Sequence, residues 1–105
     1  MNIVNLQAIA DELDFDLEDI KMVLTSFLKD SVLNLTNMIH AIDTEDYNTL
    51  RLSAHAIKGS ASNILLHEIV EITADIEKNA FEKNTVDYSK RYLKLKSLIK
   101  GLRNE

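Results

Sequence analysis

The chain has 105 residues, 46% of them apolar, so residues 1–105 are expected to form one domain around a single modest core. Seventeen acids against twelve bases leave a net charge of −5, which argues against a nucleic-acid partner. There is no Cys, which excludes disulfides, thiol nucleophiles and cysteine-bound metals, and no apolar run of membrane-spanning length. The start, MNIVNLQAIADELDFD, has no basic leader and soon turns acidic, so no signal peptide is expected. These features point to a soluble, cytoplasmic protein with no membrane partner.

With no Pro and only two Gly, Gly59 and Gly101, the chain lacks the punctuation of an all-β fold; a few long helices with short links are expected. Asn5 is placed to cap a short helix running to about Leu13. Asp16 is placed to cap a long second helix. Its Leu17, Ile20, Leu24, Phe27, Leu28, Leu35, Met38, Ile39 and Ile42 recur at three- and four-residue steps. Glu18 and Asp19 occupy its first turn, where the helix dipole favours acids. Residues Asp43 to Asp46 break the chain, and Thr44 is the expected cap of a third helix from about Glu45 to Asn63. A fourth helix spans about Leu66 to Glu82, with Ile69, Ile72, Ile76 and Ala80 inward. After Asn84 and Thr85 a fifth runs from about Val86 to Gly101. Tyr88, Tyr92, Leu95, Leu98, Ile99 and Leu102 lie on or near its apolar stripe. The methionines read as core filler. The sum is an all-α antiparallel four-helix bundle with a short extra N-terminal helix.

Charge is uneven along the chain. Residues 1–50 hold ten acids and two bases, whereas residues 87–105 hold two acids and six bases. Lys90, Arg91, Lys94, Lys96, Lys100 and Arg103 give the last helix a basic face. It reads first as a solvated surface balancing the acidic front half, and second as a surface for an acidic partner.

The third helix carries the chemistry. At about 100° per residue, Asn48, Arg51, Lys58, Gly59 and Ser62 fall within about 60° of His55. Leu50, Ala54, Ile57, Ala61 and Ile64 gather on the far side, so His55 faces away from the core. Gly59 sits one turn beyond His55 although glycine inside a helix costs about 1 kcal/mol relative to Ala. A missing side chain there clears space for a macromolecular partner to bring a reactive group to the ring. Leu52 and Ala56 flank the face as a small apolar rim suited to protein docking. A neutral imidazole nitrogen is a nucleophile near neutral pH. If it takes up a phosphoryl group, Lys58 at i+3 supplies a cation beside the added charge. Arg51 can assist, although an ordinary surface arginine is the plainer reading. No Asp or Glu lies on that face within one turn of His55, so the site is expected to lack the carboxylates of a magnesium-dependent phosphotransferase. It can carry a phosphoryl group, with the metal and the reaction partner supplied from outside. His40 and His67 form no close pair with His55 of the kind metal sites use, and no metal or cofactor is expected.

The stretch His55-Ala56-Ile57-Lys58-Gly59-Ser60-Ala61-Ser62-Asn63 resembles the signature of histidine-containing phosphotransfer (HPt) domains: a histidine, a spacer, an aliphatic residue, Lys-Gly, then small residues. Phe27 to Asp30 is similar to the stretch that precedes the histidine helix in that family. The resemblance implies a four-helix bundle with an exposed histidine in mid-helix. It also implies exchange of a phosphoryl group between that histidine and receiver-domain aspartates, or uptake from a histidine kinase. On this likeness His55 is the phosphorylated residue, Lys58 the cation beside the phosphate, Gly59 the clearance residue and Ser60 the small residue after it. Arg51, Leu52, Ala56, Ser60 and Ser62 would form the docking face for a receiver domain or kinase. Glu77 stands at an offset similar to that of a glutamate in chemotaxis-kinase phosphotransfer domains, where it orients the histidine's second nitrogen. A surface glutamate is its plainer reading. The chain departs from the family at Leu65, where a glycine is usual; if that glycine is a left-handed helix cap, Asn63 is a plausible substitute.

The resulting expectation is a monomeric phosphocarrier of a histidine–aspartate relay, and not an enzyme in its own right. The alternative is an HPt-like adaptor that binds a receiver or kinase domain without transferring phosphate. A third reading is an unrelated helical scaffold. Starting at Met1 and ending soon after its last helix, the chain reads as a stand-alone carrier, although a fragment of a larger kinase reads alike.

Overall fold

The computed structural model describes residues 5–102, in which five helices and no strand are found. They are α1 (Leu6–Leu13), α2 (Leu17–Asp43), α3 (Tyr47–Asn63), α4 (His67–Phe81) and α5 (Tyr88–Lys100). Helices α2 to α5 form the bundle. Within it α3 packs on α2 and most extensively on α4, α5 closes against α2 and α4, and α1 lies on α2.

Local chemistry accounts for most of the helix ends. The Asn5 side chain accepts a hydrogen bond from the Ala8 N–H at 3.0 Å, which caps α1. Asp16 occupies the N-cap position of α2, but its side chain makes no capping bond; Glu18 and Asp19 remain to meet the helix dipole. Thr44 does not cap α3. It ends α2 instead, its hydroxyl donating to the His40 carbonyl at 3.0 Å. The cap is Asp46, whose carboxylate accepts from the Thr49 N–H at 3.1 Å and the Thr49 hydroxyl at 2.6 Å. Those bonds hold the Asp46 carboxyl below its usual range. Asp87 caps α5 by accepting from the Lys90 N–H at 2.9 Å.

Every link between helices contains one non-glycine residue in the left-handed region: Asp14 (φ 56°), Glu45 (54°), Leu65 (57°) and Lys83 (55°). Leu65 therefore takes up the conformation that a glycine would adopt most easily, and Asn63 stays inside α3. The reason is the way the helix ends: the Leu66 N–H donates to the Ala61 carbonyl at 3.0 Å and the Leu65 N–H to the Ser62 carbonyl at 3.3 Å, a closure that needs a left-handed residue at Leu65. Gly59 and Gly101 have negative φ or stay helical, and neither makes a turn by glycine's special freedom.

The core runs the length of the bundle through Ile20, Leu24, Phe27 and Met38 of α2, Leu50 and Ile57 of α3, Ile69 and Ile76 of α4, and Tyr92, Leu95 and Ile99 of α5. Ile72 and Leu98, expected inward, are only partly buried against it. Met38 is core, whereas Met22 is 70% exposed on the outer face of α2 and fills nothing. Ala54 and Ala61 of α3 and Ala80 of α4 are also buried. Small side chains on this flank let two helices approach closely, and this brings the outer edge of α4 up to the His55 face of α3.

Candidate functional site

His55 lies in the middle of α3 with 63% of its side chain exposed. The helical wheel points it outward, and α4 supplies its partner: Glu77 Oε2 lies 2.7 Å from His55 Nδ1. The same carboxylate reaches Lys58, whose Nζ lies 2.5 Å from Glu77 Oε1. One carboxylate thus holds the imidazole with one oxygen and the ammonium with the other.

Glu77 is largely covered, with 19% of its side chain exposed. Burial pushes its carboxyl up, but hydrogen bonds from Lys58 and then His55, with their charges, overcome that and hold it below its ordinary value of 4.5. At neutral pH the group is therefore ionised and can only accept hydrogen bonds. His55 Nδ1 must be the donor, so in the neutral ring the lone pair is on Nε2. Among the described residues Nε2 has no hydrogen-bond partner.

The remaining residues singled out by sequence surround this triad. Gly59 is exposed, and a Cβ built on it would meet no atom within 4 Å. The chain's own packing therefore does not demand a glycine there. Leu52 is 51% exposed, and Ala56, Ser60 and Ser62 are exposed as well. Arg51 is partly buried, and its Nη2 donates to Asn48 Oδ1 at 3.0 Å. Lys58 differs in its resting contact: the ammonium is engaged by Glu77. The acid missing from the His55 face of α3 comes from the neighbouring helix. Among the described residues no group of three or more His, Cys, Asp or Glu side chains is placed to hold a metal ion.

Two neighbours were not legible in the motif. An open hollow between α3 and α4 is lined by Arg51, Lys58, Ala74, Glu77, Lys78 and Phe81. Lys78 and Phe81 enter it only because α4 runs antiparallel to α3, and no spacing within either helix announces them. The opposite flank of His55 carries the smaller side chains of Leu52, Ala56 and Gly59.

A family model, the Hpt domain, matches residues 22–105. The chain belongs to the Hpt domain family. The match takes in the whole His55–Gly59 motif and Glu77, and leaves α1 and the first turn of α2 outside. No curated protein and no solved structure matches the chain. Hpt domains are histidine phosphocarriers of two-component phosphorelays rather than ordinary enzymes, and they interact with receiver domains and histidine kinases. No helix among the described residues is long and apolar enough to cross a membrane.

Proposed function

We propose that this Hpt chain carries its phosphoryl group on His55 Nε2 and exchanges it with the aspartate of a receiver domain. The observation that carries the reading is the His55–Glu77 contact: an exposed ring whose Nδ1 is held at 2.7 Å by a carboxylate that is ionised at neutral pH. In the forward step the Nε2 lone pair attacks the phosphorus of an aspartyl phosphate. The P–N bond forms, the P–O bond to the aspartate breaks, and the carboxylate leaves with the electron pair. The Nδ1 proton stays directed at Glu77, which offsets the positive charge the ring acquires. The reverse step returns the phosphoryl group to a carboxylate. Glu77 is a positioning residue in this scheme. Lys58, on the other oxygen of Glu77, stands beside the site and can turn toward a phosphoryl group when one arrives. Gly59, open on its outer side, leaves room for the partner's loop.

The chain's residues provide the nucleophile and its orientation, and the partner brings the metal and the acceptor carboxylate. Residues 1–105 act as one cytoplasmic, monomeric unit in this proposal. Arg51, Leu52, Ala56, Ser60 and Ser62 border the surface on which the partner sits. The test is labelling of the purified protein with a small phosphoramidate donor, read by intact mass, with His55→Gln alongside. One acid-labile phosphoryl group on the wild type and none on a folded His55→Gln variant is the expected result. A folded wild type that takes no label refutes the carrier reading and favours the adaptor.

A further inference from the structure

Besides Lys58 and Glu77, the hollow on the α4 flank of His55 holds groups that the transfer chemistry does not use. Arg51, Lys58 and Lys78 place three cations around one carboxylate, and that carboxylate is already engaged by His55 and Lys58. Arg51 is held by a neutral acceptor, Asn48. Lys78 is exposed and makes no ion pair among the described residues. A cationic hollow runs against the overall charge of the chain, −5. At its rim stands Phe81, 72% exposed, the most exposed of the large apolar side chains among the described residues. Most phenylalanines find cover within their own fold. An uncovered aromatic ring beside uncompensated cations, at the edge of a reactive histidine, is the composition of a protein interface.

We propose that Arg51, Lys78 and Phe81 form a docking surface that selects the phosphorelay partner: an acidic receiver domain that seats the Phe81 ring in an apolar pocket and sets carboxylates against Arg51 and Lys78. The proposal rests on the carrier reading of His55 and names the face by which the partner is recognised. The two flanks of the ring then divide the work. Leu52, Ala56 and Gly59 allow close approach on one side, and the cationic aromatic flank fixes orientation and partner choice on the other. Complementary charge raises the rate of productive encounter and rejects partners of the wrong sign. The buried aromatic anchor supplies most of the affinity. A free anion does not explain the site, because Lys58 is already paired with Glu77, Arg51 is held by Asn48, and only Lys78 stands exposed.

The test compares wild type, Phe81→Ala, Lys78→Gln and Leu93→Ala against a panel of isolated receiver domains ranging from acidic to neutral around their phosphorylated aspartate. Leu93 is another uncovered apolar residue, 62% exposed on α5 and outside the hollow. Two quantities are read: transfer from the phosphoramidate-loaded carrier as a function of receiver concentration, and equilibrium binding of the unphosphorylated carrier to the same receivers. Phe81→Ala is expected to raise both the half-saturating concentration and the dissociation constant by about tenfold or more. The limiting transfer rate changes far less, and Leu93→Ala follows the wild type. Lys78→Gln is expected to weaken binding to the acidic receivers most and to flatten the salt dependence. Circular dichroism verifies the fold of each variant. Phe81→Ala and Lys78→Gln that both bind and transfer like Leu93→Ala overturn the proposal, and so does a wild type that binds no receiver. A wild type that binds receivers through Phe81 but takes no phosphoryl group supports the surface while refuting the carrier reading.

Discussion

Replacing Glu77 with Gln removes one charge and almost no volume, so it isolates what the carboxylate does. The carboxylate accepts from His55 Nδ1 at 2.7 Å and from Lys58 Nζ at 2.5 Å. A carboxamide has one acceptor oxygen. If it faces His55, its NH2 group meets the Lys58 ammonium, donor against donor; if it is flipped, the imidazole loses its acceptor. One of the two contacts must therefore fail. For stability the loss is small. His55 is 63% and Lys58 31% exposed, so solvent screening leaves about 0.5–1 kcal/mol. The kinetic effect is larger, because Nδ1–H and the ring orientation are no longer fixed. Loss of a group that orients a histidine in this way costs roughly 10–100-fold where it has been measured in metal sites, and a drop of that order is expected here. The assay is the time course of phosphoramidate labelling by intact mass, paired with urea unfolding. The acid limb gives a second readout. Folding lowers the Glu77 carboxyl below 4.5, so its contribution to stability is complete above that value and is lost as pH falls through the lowered one. Glu77→Gln should remove that part of the acid sensitivity. A variant that labels within about twofold of wild type would reduce the pair to a surface salt bridge of little consequence.

Three further outcomes are expected. Gly59→Gln should stabilise α3 by up to about 1 kcal/mol, seen as a higher Tm, since its Cβ meets nothing. It should also slow transfer to a receiver domain, and unchanged receiver kinetics would refute the clearance role. Lys58→Ala should slow labelling or lower the yield of phosphohistidine while costing no more than about 1 kcal/mol in urea; indifference in both labelling measures would make Lys58 a structural partner of Glu77 alone. Lys83→Gly should raise the urea midpoint by the equivalent of about 0.5–1 kcal/mol. Lys83 is exposed at φ 55°, and glycine relieves the left-handed strain without losing packing. A lower midpoint would show that the strain at Lys83 is smaller than glycine's extra unfolded-state entropy.

Where a helix end depends on a side chain reaching its own backbone, the sequence is informative, and Asn5 is the clear case. Between α2 and α3 two capping residues compete within three positions, and local pattern alone does not rank Thr44 against Asp46. The choice is made by Glu45 turning left-handed, which points Asp46 at Thr49 and leaves Thr44 on the end of α2. Leu65 was opaque for a related reason. A leucine does not advertise a positive φ, and it adopts one because the Leu66 and Leu65 N–H groups close the end of α3 on the Ala61 and Ser62 carbonyls. Met22 misleads differently: composition places methionine inside, but on a 27-residue helix the outer face must hold something, and here it holds Met22.

The helices, the core stripe of each and the outward direction of His55 can be read along the chain, because they follow from a period of 3.6 residues and from contacts within a few positions. The same period also places Lys58 and Gly59 on the face of His55, one turn away. The company that face keeps depends on how the helices pack. Glu77 is twenty-two residues from His55, and helical periodicity carries no information over that distance. The buried alanines of α3 and α4 let the two helices pack closely, and the short link at residues 64–66 sets the antiparallel register in which they meet. That register turns a surface glutamate into the group holding both His55 and Lys58, and places Lys78 and Phe81 beside them.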